Sequence, residues 1–231
     1  MQRGLDLLLD KYSVSTKAAL SKDGKTVEIN GVNVPVLPWE SERRIIELKN
    51  LVVTGRLGNM CTYRIGHTAK KGTDLMEMLA REVGILEFTV ASEAKEIFAI
   101  AGKNTMNCIV ETENGCVCTI ELGATLEEGQ KDIDKHEIIT DNGVGCDRVV
   151  DTQMPQDSIY VFGENRQTFM DTDAELYGYS EMEINTIRNA FALAKSEELC
   201  KENIKKRAHI EKVVAAAKIS LATLENVKVE A

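Results

Sequence analysis

The stretch "NCIVETENGCVCTIEL", residues 107–122, decides how this chain is read. Two runs of alternating apolar and polar residues flank a Glu-Asn-Gly segment, the pattern of a β-hairpin with one covered face. Met106, Cys108, Val110 and Thr112 share a face of the first strand, and Cys116, Cys118, Ile120 and Leu122 share a face of the second. A two-residue Asn-Gly loop would send these sets to opposite sides, because a slip of one residue reverses every side chain. A three-residue loop, Glu113-Asn114-Gly115, with Gly115 left-handed, instead pairs Thr112 with Cys116, Val110 with Cys118 and Cys108 with Ile120. Both apolar sets then lie on one side, and Glu111, Thr119 and Glu121 lie on the other, half-solvated or interfacial. The cysteines read as small hydrophobes in an apolar setting that raises thiol pKa and makes them inert. A metal or redox site would want further His or Cys ligands converging on them.

Working outward, residues 1–12 read as a short helix and "KTVEINGVNVPV" as a hairpin whose Asn30-Gly31 loop sets Val27 and Ile29 opposite Val34 and Val32. Pro35 marks that strand as an edge. A helix carries Ile45, Leu48 and Val52 and ends near Gly55. Residues 59–66 read as a strand and 74–83 as a helix capped by Thr73, with Asp74 and Glu77 in its first turn. Strands are expected at 85–92, 105–112, 116–123, 136–140 and 158–162. Ser180 and Glu183 form a capping box for a helix with Ile184, Ile187, Phe191 and Ala194 on one face. A last long helix lines up Ile210, Val213, Val214, Ala217 and Leu221 before a closing strand, "NVKVE". Strands on one surface with helices on the other argue for an α+β fold, an open, mostly antiparallel sheet with helices packed on one face.

The whole chain agrees with a globular domain. Of 231 residues, 43% are apolar and 28% charged, ordinary for a folded soluble protein. No apolar run approaches the roughly 18 residues that span a bilayer, and "MQRGLDLLLDKY" carries acidic residues where a signal peptide needs an apolar core. The expectation is a cytoplasmic protein with no membrane partner. A formal charge of -9 repels phosphates, and "KENIKKR" is a solvated helix face rather than a nucleic-acid stripe, so no nucleic acid is expected. The six cysteines read as reduced thiols, and no metal is expected.

The glycines do not make a nucleotide loop. Gly143 and Gly145 in "HEIITDNGVGCDRVV" follow a strand, but Arg148 stands where a third glycine belongs, and no helix N-terminus follows to receive a pyrophosphate. This stretch reads as a turn. Gly55 in "GRLG" reads as a helix C-cap. The chain is expected to bind no cofactor alone.

Four stretches in order resemble the C-terminal domain of the glucose-fructose oxidoreductase and inositol dehydrogenase family: "TGRLGNMCTYRI", "NCIVETENGCVCTIEL", "HEIITDNG" and "HIEKVVAAAKISLATLENVKV". The resemblance covers residues 41–231 and implies the open sheet already read, with the free face used for homo-oligomers. It divides the chain into an extension of helix and hairpin, 1–38, and an oxidoreductase C-terminal-like α+β domain, 39–231. In complete members a preceding Rossmann domain holds NAD(P) and supplies a lysine from a Glu-Lys-Pro segment. That lysine meets a histidine on the helix after the first C-terminal strand, and hydride is exchanged with a sugar or polyol hydroxyl. Here nothing resembles the nucleotide domain. With Gly84 as anchor, Asp74 stands where relatives carry the histidine and Glu77 where they carry an acid. Asp74 does not replace an imidazole poised near neutral pH.

The resemblance puts any ligand near "GHTAKKGTD", read as a loop before a helix. His67, Lys71 and Asp74 are the catalytic candidates, His67 as acid or base, and Lys70, Glu77 and Arg148 the binding candidates. Arg148 also fits a structural ion pair, His136 reads as a surface or hydrogen-bonded residue, and His209 reads as part of the polar face of the last helix. The expected role is substrate binding and oligomerisation without independent redox competence, taking a small sugar-like ligand. The alternative is half of a split sugar or polyol dehydrogenase, completed by a Rossmann subunit that brings NAD(P).

Overall fold

The computed structural model describes residues 1–231 apart from Leu57, 148–158, 163–165, Met170, Thr172 and Ala231, with the backbone alone for 159–162 and 166–169. Arg148 lies outside the described residues. The elements are, in chain order, α1 (Gln2–Lys11), β1 (Ala18–Leu20), β2 (Thr26–Ile29), β3 (Val32–Pro35), a 310 turn (Pro38–Ser41), α2 (Arg43–Val53), β4 (Met60–Lys70) and α3 (Leu75–Val90). Then follow β5 (Ala94–Ala101), β6 (Thr105–Thr112), β7 (Val117–Leu126), β8 (Ile133–Thr140), β9 (Gly143–Cys146), β10 (Ile159–Phe162) and β11 (Arg166–Phe169). A second 310 turn (Ala174–Leu176), α4 (Glu181–Lys195), α5 (Glu197–Thr223) and β12 (Val227–Lys228) complete the chain. The fold is α+β, and its main sheet is mostly antiparallel.

The elements form two compact units, one of Met1–Glu42 with Met154–Lys206 and one of Arg43–Gln153 with Arg207–Ala231. In the first, Leu5, Leu8 and Leu9 of α1 share a core with Val27, Ile29 and Val34 of the small sheet and with Ile184, Ile187 and Leu193 of α4. The hairpin has the expected register, Val27 opposite Val34 and Ile29 opposite Val32. Asn30 and Gly31 both have positive φ, the two-residue turn that matches strand twist. β3, bearing Pro35, is an edge strand. At α4 both halves of the capping box form, Ser180 accepting from the Glu183 amide and Glu183 from the Ser180 amide.

The second unit is built on seven strands in the order β12-β5-β6-β7-β4-β8-β9. β6 and β7 pair as read, Cys108 opposite Ile120 and Val110 opposite Cys118. Gly115 has φ +83, and the Thr112 amide donates to the Cys116 carbonyl at 2.9 Å, closing the three-residue loop. β4 pairs with β7 in parallel and with β8 antiparallel. Tyr63, Ile65, Cys108, Val110, Cys118, Ile120 and Ile138 form the buried face, with α3 packed against β4, β6 and β7.

Several elements differ from expectation, each for a physical reason. Residues 85–90 are helix, not strand, because α3 runs on to Val90. Its β-branched and aromatic end favours a strand only by weak propensity, which burial of Val83, Ile85, Leu86 and Val90 overrides. The cap of α3 is Asp74, not Thr73: its carboxylate accepts from the Met76 amide at 2.8 Å. Asp74→Ala is expected to cost about 1 kcal/mol in denaturant unfolding. β4 extends to Lys70, so "GHTAK" is strand, not loop. β5 was not foreseen, and residues 143–146, expected as a turn, form β9 paired with β8.

The cysteines behave as the hairpin reading requires. Burial pushes the Cys108 thiol up to about 12, the Cys116 thiol up to about 11 and the Cys118 thiol well above its ordinary value. In thiol labelling, exposed Cys61 and Cys146 are expected to react quickly, while Cys108, Cys116, Cys118 and Cys200 wait for unfolding.

Candidate functional site

Strand alternation separates the residues gathered by the sequence. His67 and Ala69 point to the helix-covered face of β4, whereas Lys70 is exposed at the strand end. Lys71 lies in the following turn and pairs with exposed Glu127, an ion pair of the kind worth about 0–1 kcal/mol. Asp74 is occupied in capping α3. Asp74 and Glu77 border an open groove of about 320 Å³ with Arg207, Glu211, Val214 and Lys218 of α5. Thus His67 stands apart from the lysine turn, and Asp74 and Glu77 belong with α5.

His67 joins a different set. On α3 the carboxylate of Glu82 is fully buried, with Oε1 2.8 Å from His67 Nδ1 and Oε2 3.0 Å from His136 Nε2. The first approach is bent away from the ideal hydrogen-bond direction, leaving His67 Nδ1 without a well-formed hydrogen bond among the described residues. His136 Nδ1 meets Asp147 Oδ2 at 2.8 Å. Arg44 Nη1 and Nη2 each reach Asp134 at 2.7 Å, and Nη1 also reaches Asp147 at 2.6 Å. Arg81 pairs with Glu82 and with Asp134, the latter at 2.8 Å. The chain Asp147–His136–Glu82–His67 alternates acid and imidazole, with the fully buried His136 and Glu82 at its centre.

His136 is buried completely, not placed at the surface. Both its ring nitrogens face carboxylates, so both are held as donors, the protonated form. Burial alone would lower its pKa, but Asp147 and Glu82 outweigh burial and push it up to about 9. Burial would likewise raise Glu82, yet Arg81, His136 and His67 hold it well below the usual carboxylate range. Against the same opposing effect of burial, Arg44 and Arg81 hold Asp134 well below that range, and His136 and Arg44 lower Asp147. Three carboxylates therefore balance two guanidiniums and one imidazolium in this cluster.

This balance sets a pH dependence. A cation whose pKa rises on folding stabilises fully below its unfolded value, about 6.5, and loses that contribution as pH climbs through about 9. The depressed carboxylates contribute above their unfolded values, about 4, and lose their contribution on acidification. Stability in urea is expected to be highest near pH 5–6 and to fall by up to about 1.4 kcal/mol per pH unit between roughly pH 7 and 9. A flat profile there would show His136 uncharged.

The cluster escaped the sequence reading because its members come from α2, β4, α3, β8 and the residue after β9. A signal was present: Asp134 and His136 alternate with Ile138 on the parity of the buried face, and His67 alternates with Ile65 and Ala69. His209, the remaining histidine, is half-buried on α5, with Nδ1 2.8 Å from Glu87 Oε1 of α3. Among the described residues no group of three or more His, Cys, Asp or Glu side chains is placed to hold a metal ion. No helix among them is long and apolar enough to cross a membrane.

No protein-family model matches the chain, and no curated protein matches its sequence. Solved structures do match its fold. The scyllo-inositol dehydrogenase of Lactobacillus casei, with NAD(H) and scyllo-inositol, superposes with TM-score 0.61 and 14% identity over 84% of this chain and 63% of its own. The myo-inositol dehydrogenase of the same organism, with NAD(H) and myo-inositol, gives 0.55 and 16% over 84% and 61%. The myo-inositol 2-dehydrogenase of Lactobacillus plantarum gives 0.58 and 12% over 84% and 64%. The chain thus spans less than two thirds of the enzymes it resembles, and at these identities the likeness is one of fold.

Proposed function

We propose that this chain is an oxidoreductase-like substrate-binding and assembly domain that does not carry out hydride transfer alone. The observation that carries the reading is its seven-stranded sheet, covered by helices on one face and open on the other, in the fold of the inositol dehydrogenases. On the open face Ile100, Ile109, Val117, Ile133 and Val144 are exposed, between about a third and a little over half of each. That pattern supports an interaction surface rather than a solvated one. The same face carries both signs of charge: Arg64 meets Glu137 at 3.0 Å and Lys95 meets Glu111 at 2.6 Å. A second copy supplies complementary charge through a two-fold axis, so the face is assigned to self-association.

The ligand is proposed to be a small sugar-like polyol. His67 is assigned acid–base work, while Lys70 and Lys71 at the strand end and Asp74 and Glu77 beside α5 are proposed as separate contacts for hydroxyl or anionic groups. The dinucleotide comes from a Rossmann-domain subunit if the complex is redox-active, and the protein works in the cytoplasm. The test is fluorescence titration of the purified chain with NADH beside light scattering. Self-association without NADH binding supports the reading; tight NADH binding overturns it. The second reading, half of a split dehydrogenase, is favoured by the inositol dehydrogenase fold and requires that a Rossmann subunit restore turnover.

A further inference from the structure

We infer that Glu82 is a positioning residue for His67, fixing the tautomer that leaves His67 Nε2 as a free acceptor for a ligand hydroxyl. The inference rests on the proposed ligand site at His67 and adds a residue that the family resemblance does not supply. An imidazole nitrogen 2.8 Å from a carboxylate oxygen must carry the hydrogen, since a bare lone pair would face the anion's own lone pairs. Glu82 is an anion with no exposed surface, anchored at its other oxygen by the doubly paired His136. It therefore cannot turn away to water, and the bent approach at Nδ1 does not alter which nitrogen bears the proton.

The other nitrogen is in a different position. His67 is 8% exposed. Nδ1 is sealed from solvent, while Nε2 is not among the buried atoms that lack a partner, and no described protein group bonds it. Nε2 thus keeps its lone pair and its access to small molecules, as an acid–base imidazole oriented by a carboxylate requires. Tyr63, Asp134, Arg81, Arg44 and Asp147 complete the charged and titratable surroundings of the Glu82–His136 pair.

The test is a long-range proton–nitrogen correlation spectrum of the whole chain labelled with 15N histidine, at about pH 8, where an ordinary imidazole is neutral. The expected pattern for His67 is a protonated Nδ1 and a bare Nε2. Glu82→Gln, in folded protein, is expected to relax that pattern toward the mixture of a free imidazole. A protonated Nε2 in the wild type overturns the inference, as does an unchanged His67 spectrum in folded Glu82→Gln. If Glu82→Gln does not fold, the wild-type spectrum decides alone. No ligand is needed, so failure here is distinct from failure of the proposed assembly role, which light scattering reads.

Discussion

His136→Leu is expected to destabilise the protein by about 3–5 kcal/mol in urea unfolding at pH 6, with little change in the unfolding slope. Leucine fills much of the space but leaves Glu82 and Asp147, both buried without exposed side-chain surface, facing each other's charge without the imidazolium between them. The cost is that of uncompensated buried carboxylates, not of a lost contact. The effect should shrink at about pH 9, where wild-type His136 itself loses its proton. Glu82→Gln with His136→Leu should cost less than the sum of the single changes, because each removes a partner of the other. A loss below about 1 kcal/mol for His136→Leu would mean that water, not His136, compensates these acids.

The second large effect concerns assembly. Ile109 is half-exposed near the centre of the open sheet face, flanked by Phe98 of β5 and Thr119 of β7. Ile109→Glu places an unpaired charge where a second copy would exclude water, and it should weaken self-association more than a hundredfold, about 3 kcal/mol. The side chain points away from the core, so the unfolding midpoint of the monomer should hardly move. Light scattering should then report a monomer at concentrations where the wild type is expected to self-associate. Lys71→Ala, in the turn after β4, should leave assembly unchanged.

The sequence carried the fold better than the site. Hairpin registers were legible because side-chain alternation and turn chemistry constrain each other: Asn30-Gly31 admits one pairing and Glu113-Asn114-Gly115 another. The end of α3 was not legible. "GILEFTV" favours a strand locally, and only burial between the sheet and α2, where Lys49 lies 3.8 Å from the centre of the Phe88 ring, makes it helix. For the site, nearness in sequence misled. His67 and Lys71 sit four positions apart, yet strand alternation and the turn part them, while His67 meets Glu82 across an element boundary. Such a cluster needs the β4–β8 register and the helix phase together, neither of which a local pattern supplies.

The most direct measurement is native mass spectrometry of the full chain purified gently from its own cells. The account predicts a homo-oligomer, dissociating with Ile109→Glu, whose mass leaves no room for a dinucleotide held by this chain. A monomer retaining NAD(H) would contradict it, assigning nucleotide binding to a chain whose glycines were read as a turn and a helix C-cap and leaving the open sheet face without its partner.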